Sequence, residues 1–390
     1  MIGNNVEEFS FEAYKKAGED RALRLENRGP FRRTSDGLLD PTILENYWKY
    51  GFYVLENVFG EEELSDLEQD INSILNRLPT NSNSKFDKEG RLALAANCKA
   101  KNLYWSRPLG DPWGGSSFGQ GRHQAKMEEP KPTEGSPDEI VFLILGSLQF
   151  SDACLRAYGH PDLLELSAAV NGEDFVPYTD GLFIKAPGLG ASVAWHQDGI
   201  THWDSPNWHQ GSHGFNLMGQ VYGCTAANGV WVIPGSHKIG KVDIKNKIAN
   251  AGTIYFPDAV PMICNPGDVV ISNRQLLHGS FANTSENWRV TVNMGCLPKS
   301  SVLGVSGGGI VSEKTVYDEA HIAKRSLPIA YAIDARRKRF PEETPFIYKP
   351  LAHKNILWNQ EARDSMHDYS LLDISTVSYT HLRAHETSID

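Results

Sequence analysis

His196 and Asp198 stand two residues apart at the end of the apolar run ASVAWHQD. Since alternate residues of a β-strand point to the same face, this spacing directs one imidazole and one carboxylate at a single point. His278, in QLLHGS after the strand-like run GDVVIS, is the best candidate for a third ligand. Two histidines and one carboxylate on one face leave three coordination positions open, an arrangement typical of non-haem Fe(II) oxygenases.

Arg289 lies eleven residues beyond His278, inside WRVTVNMG. A guanidinium group can hold a carboxylate with two parallel charge-assisted hydrogen bonds. Ser280, two residues after His278, offers a hydroxyl to the same carboxylate. A lone His-x-Asp is usually a surface turn, and a lone histidine is usually structural. The joint occurrence of all these groups on predicted strands therefore favours a site that binds a metal and an anion.

The elements that must position these residues are short strands over residues 174–298. Alternating or β-branched runs are separated there by turn signals such as Asn228-Gly229 and Pro266-Gly267. This pattern predicts an all-β barrel or jelly roll. A strand is also predicted from Phe52 to Val58.

Helices are predicted on the N-terminal side of these strands. Asp40-Pro41 begins a helix that ends at Gly51, and a periodic apolar pattern predicts another before Pro79. A capping-box pattern at 136–139 predicts a buried helix over IVFLILGSLQF, and a further helix follows from Pro161.

The predicted organisation is a single oxygenase domain over residues 40–375, preceded by an N-terminal arm over 1–39. Within the domain we expect an insertion or lid over 80–135, a jelly-roll core over 174–298 and a helix and loop extension over 299–375. Trp105, Trp113 and Phe118 favour a lid over a plain linker. The last segment, 376–390, has no place in the pattern and is interpreted as a tail that could be an artefact.

Several motifs together resemble the phytanoyl-CoA dioxygenase-like (PhyH) family of Fe(II)/2-oxoglutarate-dependent oxygenases. They follow the family's order along the chain, and they are GFYVLENVFGEEEL at 51–64, FIKAPG at 183–188, WHQDG at 195–199, NGVWVIPGSHK at 228–238, NPGDVVI at 265–271 and HGS to WR from 278 to 289.

The resemblance implies a mainly β fold, a double-stranded β-helix or cupin-like jelly roll with flanking α-helices. It also implies that His196, Asp198 and His278 bind Fe(II), and that Arg289 and Ser280 hold the carboxylate of 2-oxoglutarate. Gln220, on a strand expected to cross the barrel, is a further candidate for a cosubstrate contact. The expected reaction consumes 2-oxoglutarate and O2, gives succinate and CO2, and hydroxylates an unactivated C–H bond of a small or medium-sized metabolite.

Three other groups of residues have simpler explanations. His202, His209 and His213 are expected to be loop histidines rather than a second metal site. Lys185 is expected to face solvent, and the run of basic residues at 336–339 is expected to be a solvated helix face.

The composition excludes several kinds of partner. The chain has 390 residues, and 38 basic against 48 acidic side chains give a net charge of −10. Nucleic acid and anionic membranes both need basic surface, so neither is the expected partner. Five cysteines without a close pair fit free thiols. No secretory signal or membrane-spanning run is recognised, so we expect a cytoplasmic protein with a small-molecule substrate.

Two alternatives stay open from the sequence. One is a cupin-like metal enzyme that uses no 2-oxoglutarate, and Arg289 argues against it. The other is a catalytically silent jelly roll that only binds a ligand, and the complete set of three ligand residues argues against that.

Overall fold

Two β-sheets form the core of the protein. The structure, a computed structural model, describes residues 10–199, 201–306 and 316–373. The strands in these ranges are β1 Arg28–Pro30, β2 Phe52–Glu56, β3 Leu103–Ser106, β4 Ile140–Leu145, β5 Val176–Lys185, β6 Val193–His196, β7 Phe215–Gln220, β8 Trp231–Val232, β9 Val260–Pro261, β10 Val269–Asn273, β11 His278–Ser280 and β12 Arg289–Leu297.

The larger sheet has eight strands in the order β1-β2-β10-β7-β12-β5-β4-β3, and the smaller has four in the order β6-β11-β8-β9. The two sheets pack on each other, because Val54 and Val270 of the larger sheet share a buried cluster with Val232 and Val260 of the smaller one. Apart from the parallel pair of β1 and β2, the strand pairs of these two facing sheets are antiparallel; they form the jelly-roll core, and the predicted fold class is confirmed.

Nine helices surround the sheets within the described residues. They are α1 Phe11–Ala22, α2 Pro41–Tyr50, α3 Glu61–Asn76, α4 Asp152–Tyr158, α5 Pro161–Asn171, α6 Ile244–Ala251, α7 Lys299–Val302, α8 Glu319–Arg339 and α9 Gln360–Ser365. In the same ranges, no helix is long and apolar enough to cross a membrane.

Helices α2, α3, α4, α5 and α8 cover the outer face of the larger sheet, where their apolar side chains join one buried cluster with those of the strands. Successive residues of each strand point alternately toward this cluster and toward the space between the two sheets. Leu217 and Val292 belong to the helix-covered cluster. Their neighbours Met218 and Asn293 point the other way, into a cavity between the sheets.

Local capping sets the ends of α2 as the sequence predicts. The Asp40 side chain accepts a hydrogen bond from the backbone N–H of Thr42 at 3.0 Å. Gly51 ends the helix with φ of 87°, a left-handed conformation that glycine adopts without steric cost. The chain then turns directly into β2.

The helix predicted over residues 140–150 is wrong, because Ile140–Leu145 is strand β4. It pairs with β3 on one side and β5 on the other. A short continuous apolar run suits a fully buried strand as well as a buried helix, and here the two neighbouring strands decide between them.

The predicted N-terminal arm contains a helix that packs against the core. The Tyr14 ring of α1 stacks on Trp231 of β8 with ring centres 4.6 Å apart. Gly18 fits against the same indole, since a Cβ atom there would lie 2.4 Å from it. The predicted tail at 376–390 lies outside the described residues.

The basic run at the end of α8 is not simply a solvated face. Arg336 is buried and forms ion pairs with Glu63 of α3 and with Glu343. Arg339 pairs with Asp66 of α3. The prediction of a solvated face is therefore wrong for Arg336, because α3 supplies acidic partners from a distant part of the chain.

Candidate active site

A cavity of about 960 Å³, counted to its open mouth, lies between the two sheets. The larger sheet contributes Phe142, Phe183, Lys185 and Arg289, and the smaller sheet contributes His196, His278 and Ser280. The predicted insertion reaches the same space, because Trp113 and Arg122 complete the wall. His196, Asp198, His278, Ser280 and Arg289, all predicted from the sequence, therefore line one cavity.

His196, Asp198 and His278 come together on the smaller sheet. His278 begins β11 and lies directly opposite His196, the last residue of β6, in the antiparallel pairing. The two imidazole centres are 4.1 Å apart. Asp198 follows β6, and one ligand atom from each of the three residues lies within 4.8 Å of the others. No other such group of three metal-binding side chains occurs in the ranges that the structure describes.

Backbone carbonyls orient both imidazoles. Nδ1 of His196 lies 2.8 Å from the carbonyl oxygen of Ala194, and Nδ1 of His278 lies 2.8 Å from that of Leu276. Because a carbonyl oxygen only accepts hydrogen bonds, each Nδ1 carries the proton and each Nε2 keeps a free lone pair. Such fixed tautomers are characteristic of histidines that bind metals.

The electrostatic surroundings favour the protonation states that a metal ion requires. Burial lowers the pKa of His278 to about 4, and the neighbouring His196 adds to this effect. Burial alone would raise the pKa of Asp198, but Arg122 and the two histidines outweigh it and hold that pKa well below its usual range. His278 is thus neutral and Asp198 charged at neutral pH. The buried set of two imidazoles and one carboxylate fits an Fe(II) ion.

Arg289 lies elsewhere on the cavity wall, at the start of β12. Its side chain is buried, with Nε donating to Thr291 Oγ1 at 2.9 Å and Nη1 to the Asn228 carbonyl at 3.4 Å. No ion pair joins Arg289 to a carboxylate in the described part of the chain. A buried guanidinium without a counter-charge is costly, so this group is suited to an anionic ligand.

Ser280 and Gln220 occupy different positions relative to Arg289. Ser280 lines the cavity, and its predicted contact with the cosubstrate carboxylate stays untested. Gln220 is buried behind the wall, where its Oε1 accepts from Thr291 Oγ1 at 2.9 Å. The structure therefore places Gln220 behind Arg289, two hydrogen bonds away through Thr291, and its predicted contact with a cosubstrate stays untested.

The expectation that Lys185 faces solvent is wrong. Lys185 is only 3% exposed, lines the cavity and lies directly opposite Arg289 in the pairing of β5 with β12. Its Nζ donates to the carbonyl oxygen of Phe281. The outer side of β5 is covered by helices, so the alternation of the strand turns Lys185 inward together with Phe183.

Sequence reasoning missed two residues from the insertion. Arg122 Nη1 lies 2.9 Å from Asp198 Oδ1, and the His123 ring lies 4.3 Å from that of His196. Trp113 packs edge-on against Phe142 of β4 with ring centres 5.0 Å apart, which holds this segment against the larger sheet beside the site. The pair Arg122-His123 was visible in the segment GQGRHQ. Nothing in the sequence, however, indicated which strand this segment would contact.

Two further missed residues flank Asp198. Asn216 of β7 donates from Nδ2 to Asp198 Oδ2 at 3.2 Å, and Arg274 Nε lies 4.0 Å from the same oxygen. The carbonyl of Arg274 also accepts from the backbone N–H of Asp198 at 2.7 Å. The only sequence signal that could have pointed to Arg274 was its position four residues before His278.

Comparison with known proteins shows which family this part of the chain is similar to. Residues 143–291 match the family model described as Phytanoyl-CoA dioxygenase (PhyH). A phytanoyl-CoA dioxygenase of Arabidopsis thaliana is 23% identical over 268 residues, which cover 65% of this chain and 87% of the relative. Dioxygenase lolE1 of Epichloe uncinata is 30% identical over 132 residues, which cover 33% of this chain and 48% of the relative.

Among solved structures, that of EctD from S. alaskensis with 2-oxoglutarate and 5-hydroxyectoine matches with a TM-score of 0.47. It is 18% identical, and the match covers 72% of this chain and 83% of that one. The family resemblance inferred from the sequence is confirmed. The family and the donor set together indicate the general class of Fe(II)/2-oxoglutarate-dependent oxygenases, whose cofactor and cosubstrates are Fe(II), 2-oxoglutarate and O2.

Proposed function

We propose that this protein, whose residues 143–291 carry the phytanoyl-CoA dioxygenase family domain, hydroxylates an unactivated C–H bond of a small or medium-sized metabolite. The observation that supports this most strongly is the content of a single cavity. It holds the His196, Asp198 and His278 cluster and the unpaired Arg289 guanidinium. A metal and an organic anion can thus be bound together.

In this proposal His196 and His278 bind Fe(II) through Nε2 and Asp198 through its carboxylate. When bound, the iron and 2-oxoglutarate supply the oxidising chemistry, in which 2-oxoglutarate is decarboxylated to succinate and CO2. The protein fixes the ligands in advance, since Ala194 and Leu276 orient the rings and the Arg274 carbonyl holds the backbone of Asp198.

Arg289 and Ser280 hold the distal carboxylate of 2-oxoglutarate. Thr291 and Gln220 act as positioning residues, because their two buried hydrogen bonds fix the Nε edge of Arg289. Lys185 places an amino group opposite Arg289 at this part of the wall, and this group is charged only below its lowered pKa. The cosubstrate is thus oriented by a fixed cationic wall and not by a flexible surface chain.

Apolar side chains occupy much of the remaining wall, and the aromatic ones are Trp113, Phe142 and Phe183. They exclude water and bind the hydrocarbon part of a substrate, so that one C–H bond is held near the metal cluster. The small-molecule substrate and the cytoplasmic location stay predictions from the composition.

The direct test is succinate formation from 2-oxoglutarate by the purified protein with Fe(II), ascorbate and O2. We expect succinate that requires both iron and 2-oxoglutarate and disappears with a chelator. The matched control is His209→Ala, because His209 lies in the neighbouring loop but outside the cavity. Oxygen consumption with iron that needs no 2-oxoglutarate would instead favour the cupin-like alternative. Absence of any turnover, with tight ligand binding, would favour a silent binding protein.

A further inference from the structure

Two buried arginines approach Asp198 from different parts of the chain. Arg122 comes from the insertion and Arg274 from the turn after β10. Only 8% of the Arg122 side chain and 6% of the Arg274 side chain are exposed. Both line the cavity beside the metal cluster.

These two arginines share a single carboxylate. Arg122 Nη1 lies 2.9 Å from Asp198 Oδ1, and Arg274 Nε lies 4.0 Å from Oδ2. Neither forms an ion pair with any other carboxylate within the described ranges. The same carboxylate accepts from Asn216. The single negative charge of Asp198 therefore does not balance the two guanidinium charges.

The remaining contacts of the arginines also leave donors unused. The Arg274 guanidinium lies over the Tyr178 ring at 4.3 Å, and its Nη1 donates to the His213 carbonyl at 3.3 Å. The Nε groups of Arg122 and Arg274 are both buried without a hydrogen-bond partner among the described residues. Buried guanidinium N–H groups without an acceptor are costly, so an anionic ligand that accepts from them would stabilise the site.

The charge of the whole cavity supports the same conclusion. Among the described residues that line it, three arginines are cationic and only Asp198 is acidic, and the three are Arg122, Arg274 and Arg289. This step rests on the proposed function, in which a metal dication adds positive charge and 2-oxoglutarate brings two negative charges. The distal carboxylate of 2-oxoglutarate is assigned to Arg289, so the excess of positive charge stays around Arg122 and Arg274.

We propose that Arg122 and Arg274 bind an acidic group of the substrate. The substrate class is then an amphipathic organic acid. Its carboxylate or phosphate lies between the two guanidinium groups, and its apolar body lies against Trp113, Phe142 and Phe183. Guanidinium groups suit this role because their paired N–H donors match the oxygens of such anions.

The test measures binding to Ni(II)-loaded protein saturated with 2-oxoglutarate, by isothermal titration calorimetry. The probes are 4-phenylbutanoate and 4-phenylbutanamide, which share shape and differ in charge. The wild type is expected to bind the acid about tenfold more tightly than the amide. Arg122→Gln and Arg274→Gln should each reduce this preference to about threefold or less. Arg107→Gln, in the same insertion but paired with Glu129 away from the cavity, should retain it.

Each other outcome overturns the proposal. A wild type that binds both probes equally, or neither, contradicts it, as does an acid preference that survives in both variants. If both variants lose affinity for 2-oxoglutarate, the arginines serve the cosubstrate instead. Arg122→Lys and Arg274→Lys keep the charge and should retain part of the preference. A prior titration of 2-oxoglutarate into the wild type tests the proposed function separately, so that the two failures are distinguishable.

Discussion

Two regions of one cavity differ in how their charges are balanced. One is the cluster of His196, Asp198 and His278, and the other is the wall around Arg289. Around Asp198 a carboxylate is surrounded by Arg122, Arg274 and Asn216, and its charge is compensated by the protein itself. Around Arg289 two basic side chains, Arg289 and Lys185, lie side by side, and the described residues offer them no carboxylate as an ion-pair partner. The first region already contains an anion of the protein, with two arginines available for a substrate anion, whereas the second contains no carboxylate and suits an anionic cosubstrate. Substitutions in the two regions should therefore have separable effects.

The largest effect is expected from Asp198→Ala. It removes the only carboxylate of the cluster and leaves Arg122 and Arg274 facing each other. Bound iron after gel filtration and succinate formation should both fall to background. Asp174→Ala, an exposed acidic residue outside the cavity, is the control and should keep both. Retained turnover in Asp198→Ala would contradict the assignment of the cluster.

Arg289→Ala should leave iron binding intact and weaken 2-oxoglutarate binding by about 10- to 100-fold, the range expected for hydrogen bonds to a charged group. Calorimetry of 2-oxoglutarate with the Ni(II)-loaded variant measures this effect. Arg289→Lys should recover part of the affinity, because it keeps the charge but loses the paired donors. Equal loss of metal and cosubstrate would show that the two regions are not separable.

Lys185→Met should weaken 2-oxoglutarate binding less, by about fivefold at low pH. Burial, with Arg289 adding to it, lowers the pKa of Lys185 well below its usual range. The ammonium group attracts the cosubstrate only below that pKa, so the wild-type affinity should fall as pH rises through it. The variant should have a flatter pH profile. Parallel profiles for the two proteins would exclude Lys185 from the cosubstrate end.

The smallest effect is expected from Thr291→Val, which removes the hydroxyl between Gln220 and Arg289. The affinity for 2-oxoglutarate should fall by about threefold to fivefold, since one net hydrogen bond is lost and Arg289 stays in place. Affinity for the metal should not change. A loss as large as that of Arg289→Ala would mean that Thr291 does more than position the arginine.

The cluster could be predicted from the sequence because local rules determine most of it. His196 and Asp198 are two residues apart at a strand end, and the antiparallel pairing of β6 with β11 brings His278 opposite. Arg289 was likewise recognisable, because it follows His278 by eleven residues and because the carboxylate of a cosubstrate needs a cationic partner. Strand periodicity and ligand chemistry were sufficient for these four residues.

The rest depended on contacts between distant segments. Lys185 turns inward because helices cover the other face of β5, and Arg122 reaches Asp198 because Trp113 anchors its segment against Phe142 of β4. The apolar run of β4 was compatible with a helix until its two neighbouring strands were known. Such outcomes are set by tertiary packing, which a local pattern does not contain.

The central claim is that one cavity binds a metal at one place and 2-oxoglutarate across it. The most direct measurement is an anaerobic titration of 2-oxoglutarate into the Fe(II)-loaded wild type, followed by visible absorption. A metal-to-ligand charge-transfer band that saturates with one equivalent of 2-oxoglutarate is the predicted result. A protein that binds Fe(II) but develops no such band at saturating 2-oxoglutarate would contradict the claim.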